Sequence, residues 1–321
     1  MRFRLCGLMA TLVVAVIGTA VAPWPGAPHA QGIPPCTPST TLTCEQLVAL
    51  GYAYPYAREE RSYLFVNGAA YPYAGTPHGQ LTHGTVRIGS DKVDVVDLLQ
   101  TLGLADRIAR PRTPVIGYGS NATVSALTRK YVNPGFHEPA VIPVTRAQLY
   151  DYDVVWSPHL VFNGAMPATI VRSPGTVVEV WINWLDAAEL RRMHDSEEVG
   201  TFYSYGALWP ARIVSDAPLP GPPHVYVDCH GALALRGVPQ AVASVPAKRR
   251  RFPELDSEQA MRKVAPHIGW TDSVFELLLD NVQSPERRAG RTQALAPLSH
   301  VVPDPTYQVD CPCGAQSCSV P

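Results

Sequence analysis

The sequence predicts an α+β fold, in which several short strands close into a small mixed β-barrel flanked by helices. β-Branched and aromatic residues dominate Pro167–Arg172 and Thr176–Trp184, which is typical of strands. Apolar residues recur at helical spacing in other segments, for example in Val93–Leu102. The chain has 321 residues, of which 46% are hydrophobic. It is therefore long enough to bury the core of one large domain with appendages.

Local signals mark individual elements of this fold. Asn67-Gly68 between two extended runs predicts a β-hairpin, and Gly103 is a predicted stop for the helix over Val93–Leu102. Asp186 is a predicted cap for a helix that runs through His194. Two further helices are predicted near Ser257–Ala265 and Ser273–Val282.

Turn-forming residues divide the middle of the chain. Thr113–Asn121 is a short apolar strand that runs into a glycine-containing turn. The helix predicted to follow, Ala122–Lys130, would be capped by Ser120 or Asn121. Ser173-Pro174-Gly175 predicts a turn between two separate strands.

The first residues have the pattern of a secretory signal peptide. A short arginine-containing region precedes the uncharged apolar stretch Leu5–Ala22, and small residues follow it. We expect residues 1–30 to be a signal peptide cleaved after Ala22 or Ala30. An uncleaved anchor is the alternative, because about 18 apolar residues can just cross a bilayer. A cleaved signal predicts a protein that is secreted or held in the periplasm or cell envelope, without stable membrane insertion.

The rest of the chain divides into three predicted parts. Residues 31–112 form an amino-terminal extension in which we identify no chemistry, and residues 113–285 form the central domain. Residues 286–321 form a tail that contains proline and cysteine. Charged residues make up 17% of the chain, and the net charge is -1. The sequence therefore gives no electrostatic case for nucleic-acid binding. The one basic run, Lys248–Arg251, is interpreted as a solvated loop.

The cysteines agree with export. Of seven cysteines, Cys6 leaves with the signal, which leaves six: Cys36, Cys44, Cys229, Cys311, Cys313 and Cys318. An even number in an exported chain predicts disulfides, although the sequence leaves their pairing open. The last three could instead form a metal knuckle, but no histidine is nearby and their spacing is unlike that of a zinc site. We therefore predict no metal and no cofactor.

Two segments carry chemistry. The turn at Tyr118–Asn121 enters a predicted helix, and such a turn presents unpaired backbone N–H groups that can bind a carboxylate or an oxyanion. Many Gly-Ser turns only cap a helix. Asp195–Glu198 places acidic residues just past a helix end, where the helix dipole disfavours them. This second segment is either functional or a solvated loop.

The order and spacing of these segments resemble the gamma-glutamylcyclotransferase family. Tyr118-Gly119-Ser120-Asn121 matches the motif with which that family begins its domain. Ala168–Ile170, Ser173–Gly175 and Val178–Val180 resemble its strand-turn-strand, and Asp195-Ser-Glu197-Glu198 followed by Tyr203 resembles its Asp-x-x-Glu element. The similarity runs from about Thr113 to Val282, slightly over half of the chain.

The resemblance implies a reaction and roles for these residues. In the family, the α-amine of a gamma-glutamyl amide attacks its own side-chain carbonyl, which forms 5-oxoproline and releases an amine without a cofactor. Glu198 corresponds to the catalytic glutamate, and Tyr118–Asn121 correspond to the loop that holds the gamma-glutamyl group. Tyr203 is either a hydrogen-bond donor to the substrate or a half-buried sheet residue. The implied partner is a small gamma-glutamyl substrate.

The sequence departs from the family just after Glu198. The family usually has glycine directly after the catalytic glutamate, whereas Val199 stands here and Gly200 comes one residue later. Glu197 is therefore a second candidate for the catalytic role. A non-catalytic secreted binding protein on the same fold is the alternative function, because a fold does not determine its function.

Overall fold

A computed structural model describes residues 42–77, 81–132, 136, 138–315 and 318. The predicted signal peptide, with its two possible cleavage sites, lies outside the described residues, as do Cys6 and Cys36. No helix in the described part of the chain combines the length and the apolar character needed to cross a bilayer.

The described residues form an α+β structure. Its α-helices are α1 Cys44–Ala53, α2 Val95–Thr101, α3 Val124–Tyr131, α4 Ala187–Ser196, α5 Ser257–Val264, α6 Val274–Gln283 and α7 Pro285–Leu295. Its strands are β1 Tyr63–Val66, β2 Ala69–Pro72, β3 Thr85–Ile88, β4 Asp91–Asp94, β5 Thr113–Gly117, β6 Val141–Trp156, β7 Ala168–Leu185, β8 Tyr203–Leu208, β9 Ile213–Ser215, β10 His224–Asp228, β11 Ala232–Leu235, β12 Val238–Pro239, β13 Ala241–Val242, β14 Ala247–Lys248, β15 Glu254–Leu255, β16 Ser299–His300 and β17 Tyr307–Cys311.

Most strands belong to one large mixed sheet with the order β15-β13-β6-β7-β5-β10-β8-β17. Pairing is antiparallel except between β5 and β10 and between β13 and β15. β1, β9 and β14 pair with β6 or β7 beside this path. A barrel closes only when its first and last strands pair. Among the described residues β15 pairs only with β13 and β17 only with β8, so the predicted closed barrel is not found and the sheet is open.

The two longest strands form one hairpin along the centre of the sheet. β6 and β7 pair from Trp156↔Ala168 to Val144↔Asn183, with a register shift at Asp151. The Asp151 carboxylate accepts a hydrogen bond from the Gly175 amide at 2.7 Å. The predicted turn at Ser173–Gly175 is therefore wrong, because a bulge opposite Asp151 absorbs those residues and β7 continues through them.

Other local predictions are confirmed. β1 and β2 form the hairpin around Asn67-Gly68, and α4 begins after Asp186 with a capping box that Glu189 completes. α2 ends just before Leu102. α5 and α6 lie where two helices were predicted.

The helix after the glycine turn starts later than predicted. Ser120–Ala122 form a single 3-10 turn, and α3 begins at Val124. Thr123 is its cap and accepts a hydrogen bond from the Ala126 amide at 3.3 Å. Ser120 and Asn121 therefore do not cap α3. The Asn121 side chain donates to the Glu197 carboxylate instead.

Both terminal parts of the described chain contribute to the main sheet. β1 pairs with β6, and β17 pairs with β8 at the opposite end of the strand order. α1 packs against α6. The domain boundaries of the sequence analysis stay a prediction, but the segments 31–112 and 286–321 each supply a strand to the sheet of the central segment.

The main core lies between the sheet and helices α3 and α4. Tyr63 on β1 and Trp181 on β7 are fully buried, and Leu127, Tyr131 and Met193 belong to the same core from the helices. Burying a side chain of this size stabilises the fold by about 1.5–3 kcal/mol. This packing holds α3 and the end of α4 at fixed positions beside β5.

Predicted disulfides are present near the carboxyl terminus. Cys229 bonds to Cys313 with an S–S distance of 2.09 Å, and Cys311 bonds to Cys318. The alternative of a metal knuckle at Cys311, Cys313 and Cys318 is thereby wrong, since all three sulfurs are in disulfides.

Candidate active site

One cavity of about 700 Å³ lies where β5, α3 and the end of α4 meet. Its volume is that of a typical small-molecule site. It is lined by all six residues that the sequence predicts for the site, namely Tyr118, Gly119, Ser120, Asn121, Glu198 and Tyr203.

The glycines of the turn are required by close contacts. A Cβ atom on Gly117 would lie 2.9 Å from the Asn183 side-chain nitrogen, and one on Gly119 would lie 2.6 Å from the Tyr54 hydroxyl. Tyr54 is itself held in place, because its hydroxyl accepts a hydrogen bond from the Ala168 amide at 2.9 Å. Only glycine therefore lets the turn pass between these side chains.

Side chains fix the carbonyl groups of the turn. Arg58 donates to the Tyr118 carbonyl at 2.5 Å, Thr123 donates to the Ser120 carbonyl at 2.7 Å, and Asn183 donates to the Asn121 carbonyl at 3.0 Å. Burial lowers the pKa of Arg58 to about 10, so Arg58 remains charged at neutral pH. The first N–H groups of a helical turn have no partner within it, and here they belong to the residues that line the cavity.

The two tyrosines of the predicted site use their hydroxyls differently. Tyr118 donates to the Tyr226 carbonyl at 2.8 Å within the protein. Tyr203, at the start of β8, reaches the Ala168 carbonyl only at 3.4 Å. Burial holds the pKa of both phenols well above their ordinary value, so both are hydrogen-bond donors. The Tyr203 hydroxyl therefore makes the weaker hydrogen bond of the two.

The two adjacent glutamates point in different directions. Glu197 caps the end of α4, and its carboxylate accepts a hydrogen bond from the Asn121 side chain at 3.0 Å and pairs with Lys130. Its side chain is 13% exposed. Glu198 is exposed and has a left-handed backbone at φ +47°. Glu197, not Glu198, is therefore the carboxylate held against the Tyr118–Asn121 turn.

Lys130 is a site residue that the sequence did not reveal. It lies in the last turn of α3 and lines the cavity. Burial lowers the pKa of Lys130, although the Glu197 carboxylate opposes this effect. No sequence signal marks Lys130, because its role depends on how α3 packs against α4.

A second cluster that sequence reasoning missed lies beside the cavity. His159, which lines the cavity, has its Nδ1 atom 3.1 Å from one Asp228 oxygen, and His230 has its Nδ1 atom 3.0 Å from the other. The two imidazole rings stack with centroids 4.5 Å apart. Although burial acts to raise the pKa of Asp228, the two histidines outweigh it, and the pKa is lowered.

These three side chains form the one group in the described residues that could hold a metal ion, with ligand atoms within 4.8 Å of one another. The Asp228 oxygen that faces His159, and the His159 Nε2 atom, are buried without a hydrogen-bond partner among the described residues.

The carboxyl-terminal segment supports the loop that follows Glu198. The Gly314 amide donates to the Gly200 carbonyl at 2.7 Å. A Cβ atom on Gly200 would lie 2.6 Å from the Ala315 carbonyl oxygen, and Gly200 has φ +89°. The Cys229–Cys313 disulfide holds this segment against the loop after β10.

No model of a known protein family matches the sequence, and no curated protein matches it. The chemistry of the cavity therefore follows from its own residues.

Proposed function

We propose that the protein is an exported enzyme of the gamma-glutamylcyclotransferase type. The observation that carries this proposal is the contact between the Glu197 carboxylate and Asn121, the last residue of the Tyr118–Asn121 turn, inside one cavity. The substrate would be a gamma-glutamyl amide. Its α-amine would attack the side-chain carbonyl, the amide C–N bond would break, and 5-oxoproline and a free amine would leave.

Glu197 is the proposed general base and then general acid. Attack requires a neutral amine, so a carboxylate must take one proton from the substrate ammonium and later give it to the leaving nitrogen. The Glu197 carboxylate accepts a hydrogen bond from the Asn121 side chain and pairs with Lys130, and these contacts hold it at the turn.

The backbone of Glu198 supports this assignment. The family usually has glycine directly after its catalytic glutamate, and glycine adopts a positive φ without steric cost. Here two residues of the loop have a positive φ, Glu198 and Gly200, and Glu198 is the one that directly follows a glutamate, as the glycine of that pattern does. The residue before it, Glu197, is then the catalytic glutamate.

The Tyr118–Asn121 turn is the proposed site for the gamma-glutamyl group. Its backbone N–H groups would stabilise the oxyanion that forms at the attacked carbonyl, and the Tyr203 hydroxyl is a further donor. The side-chain oxygen of Asn121 is buried without a hydrogen-bond partner among the described residues, so it can accept a hydrogen bond from the substrate amine. Since the nucleophile is part of the substrate, folding the substrate into a ring-forming conformation supplies much of the rate.

Export is part of the same proposal. The two disulfides near the carboxyl terminus are typical of an oxidising compartment. With the predicted signal peptide, they favour a secreted or cell-envelope enzyme.

The test is release of 5-oxoproline from a panel of gamma-glutamyl amino acids and amines, by the mature protein and by two matched variants. We expect Glu197→Gln to lower kcat by about 100-fold or more, the usual contribution of a general base. Glu198→Gln, which changes the same side chain one residue later, should stay close to the parent. Unfolding midpoints would show that both variants are folded.

Two results would count against this proposal. Loss of activity in Glu198→Gln with activity kept in Glu197→Gln would return the catalytic role to Glu198. No release of 5-oxoproline from any substrate by the folded protein would favour the alternative, a binding protein that retains the cavity without the reaction.

A further inference from the structure

The lining of the cavity has more basic than acidic side chains. Four basic side chains line it together with two acidic ones, Glu197 and Glu198; the basic ones are Arg129, Lys130, Arg192 and Arg288. Lys130 and Glu197 pair with each other. Three guanidinium groups then face one exposed carboxylate, although the whole chain has a net charge of only -1. The positive charge is thus concentrated at this cavity.

None of the three arginines has a carboxylate partner within 4.0 Å among the described residues. Arg192 donates instead to the Lys130 carbonyl at 2.7 Å. Arg129 lies over the Tyr56 ring at 4.7 Å, and Arg288 donates to a backbone carbonyl at 2.9 Å. These contacts orient the guanidinium groups but do not neutralise them.

A series of contacts through other residues connects Arg129 with Arg288. The Tyr56 ring under Arg129 accepts a hydrogen bond at its hydroxyl from Asn163 at 3.2 Å. Arg288 donates to the Asn281 carbonyl. The Asn281 side chain in turn donates at 2.9 Å to the carbonyl of Gly164, the residue after Asn163. Arg192 is different, since it contacts Lys130 and so lies beside the proposed base.

Arg288 is partly buried, and burial lowers its pKa. A guanidinium that has lost part of its hydration without gaining a counter-ion binds a carboxylate strongly, because two parallel N–H groups match the two oxygens. Arg129 stacks on an aromatic ring, which leaves the N–H edge of its guanidinium free for an anion.

We propose that Arg129 and Arg288 form a subsite for a carboxylate on the leaving group. The preferred substrates are then gamma-glutamyl amino acids and peptides with a free carboxylate, rather than gamma-glutamylamines. This inference rests on the proposed function, which places the gamma-glutamyl group at the Tyr118–Asn121 turn and directs the leaving group to the remainder of the cavity.

The test compares gamma-glutamyl-alanine with gamma-glutamyl-alaninamide, which has nearly the same shape without the negative charge. We expect the parent protein to favour the acid by about tenfold or more in kcat/KM, which corresponds to about 1.4 kcal/mol. The double variant Arg129→Gln/Arg288→Gln should lose this preference, mainly through a higher KM for the acid. Its kcat/KM with the amide should change less than its kcat/KM with the acid.

Arg287→Gln is the matched control. Arg287 neighbours Arg288 on α7 but is exposed and pairs with Asp280, so its loss should leave the preference intact. Equal kcat/KM for the acid and the amide in the parent protein would overturn the subsite. So would a preference that survives in the folded double variant.

A binding measurement separates this inference from the proposed function. Calorimetry with the Glu197→Gln variant measures the affinity for each ligand without turnover. Tighter binding of the acid that depends on Arg129 and Arg288 supports the subsite even if no 5-oxoproline is ever released. Release of 5-oxoproline without any preference for the acid supports the reaction and overturns the subsite. A Glu197→Gln variant that binds neither ligand also overturns the subsite.

Discussion

Glu198 holds an exposed side chain on a left-handed backbone, at φ +47°. An L-residue pays a steric cost of about 1–2 kcal/mol in this conformation, which glycine avoids. We expect Glu198→Gly to raise the free energy of unfolding by about 1 kcal/mol, measured by urea denaturation. Glu276→Gly, at an exposed position in α6, is the control and should lower it by about 0.5 kcal/mol.

The same variant tests the role of the side chain. Because we assign the base to Glu197, Glu198→Gly should release 5-oxoproline at close to the parent rate. A stabilised but inactive Glu198→Gly protein would contradict that assignment.

At this scale the residues that the sequence singled out all line one cavity, and the catalytic role of Glu198 stays a prediction beside our proposal for Glu197. Tyr118–Asn121 and Tyr203 line the cavity as expected. A positive φ at an ordinary residue has no signature in a single sequence, so Glu198 could not be recognised as the turn residue. His159 and Asp228 were missed for another reason, since only the packing of the loop after β6 against the end of β10 brings them together.

At the scale of elements, short-range signals were reliable. The Asn67-Gly68 hairpin and the Asp186 cap each depend on residues within about one turn of each other. The predicted turn at Ser173–Gly175 had an equally good local signal. It was wrong because Asp151, on the neighbouring strand, binds the Gly175 amide and converts the turn into a bulge.

Helix α4 also carries a pH-sensitive contact at its buried end. His194 bonds to the Tyr226 hydroxyl at 2.8 Å and packs on Tyr205. Burial lowers the pKa of His194, while the Asp195 charge opposes this, and burial lowers that of His224 as well. At these two histidines the unfolded chain therefore binds protons before the folded chain as the pH falls.

We expect His194 and His224 to lower the free energy of unfolding below about pH 6.5, by at most about 1.4 kcal/mol per pH unit for each. Glu189 acts in the opposite sense, because burial raises its pKa to about 7 and the folded chain binds that proton first. Urea denaturation at pH 7.5 and pH 5.5 therefore compares the parent with two variants. The change in the free energy of unfolding on going to pH 5.5 should be more favourable in His194→Gln than in the parent, and unchanged in His267→Gln, which alters an exposed histidine. An equal change in all three proteins would show that His194 does not contribute.

At the scale of the whole molecule, one disulfide joins distant parts of the chain. Cys229 and Cys313 are separated by 84 residues, and a crosslink over a loop of this length stabilises a protein by about 2–5 kcal/mol. The Cys229→Ser/Cys313→Ser variant should lose stability in this range, measured by urea denaturation under non-reducing conditions. It should also lose activity, because Gly314 holds the loop that follows Glu198.

A reducing agent provides the matching control. It should lower the unfolding midpoint of the parent protein more than that of the double serine variant, which retains only the Cys311–Cys318 bond in this region. If the parent and the variant unfold at the same urea concentration without reductant, the disulfide does not hold the fold together.

The sequence predicted the α+β class at this scale but not the arrangement of the sheet. The appended segments were expected outside the central domain, yet β1 pairs with β6 and β17 pairs with β8. Each pairing joins segments far apart in the chain, and a strand pattern says which face is buried, not which strand is its neighbour. For the same reason a closed barrel was expected where the sheet is open.

The hydrogen bond between Asn121 and Glu197 has a consequence for how the protein is produced. Asn121-Ala122-Thr123 is an acceptor sequence for N-linked glycans, and the nitrogen that a glycan would occupy is the one that donates to Glu197. A eukaryotic secretory host attaches such glycans to chains before they finish folding. It would place a sugar in the cavity itself, whereas a host without this pathway leaves the amide intact. Mass spectrometry of the secreted product is thus also a check on whether the cavity is open.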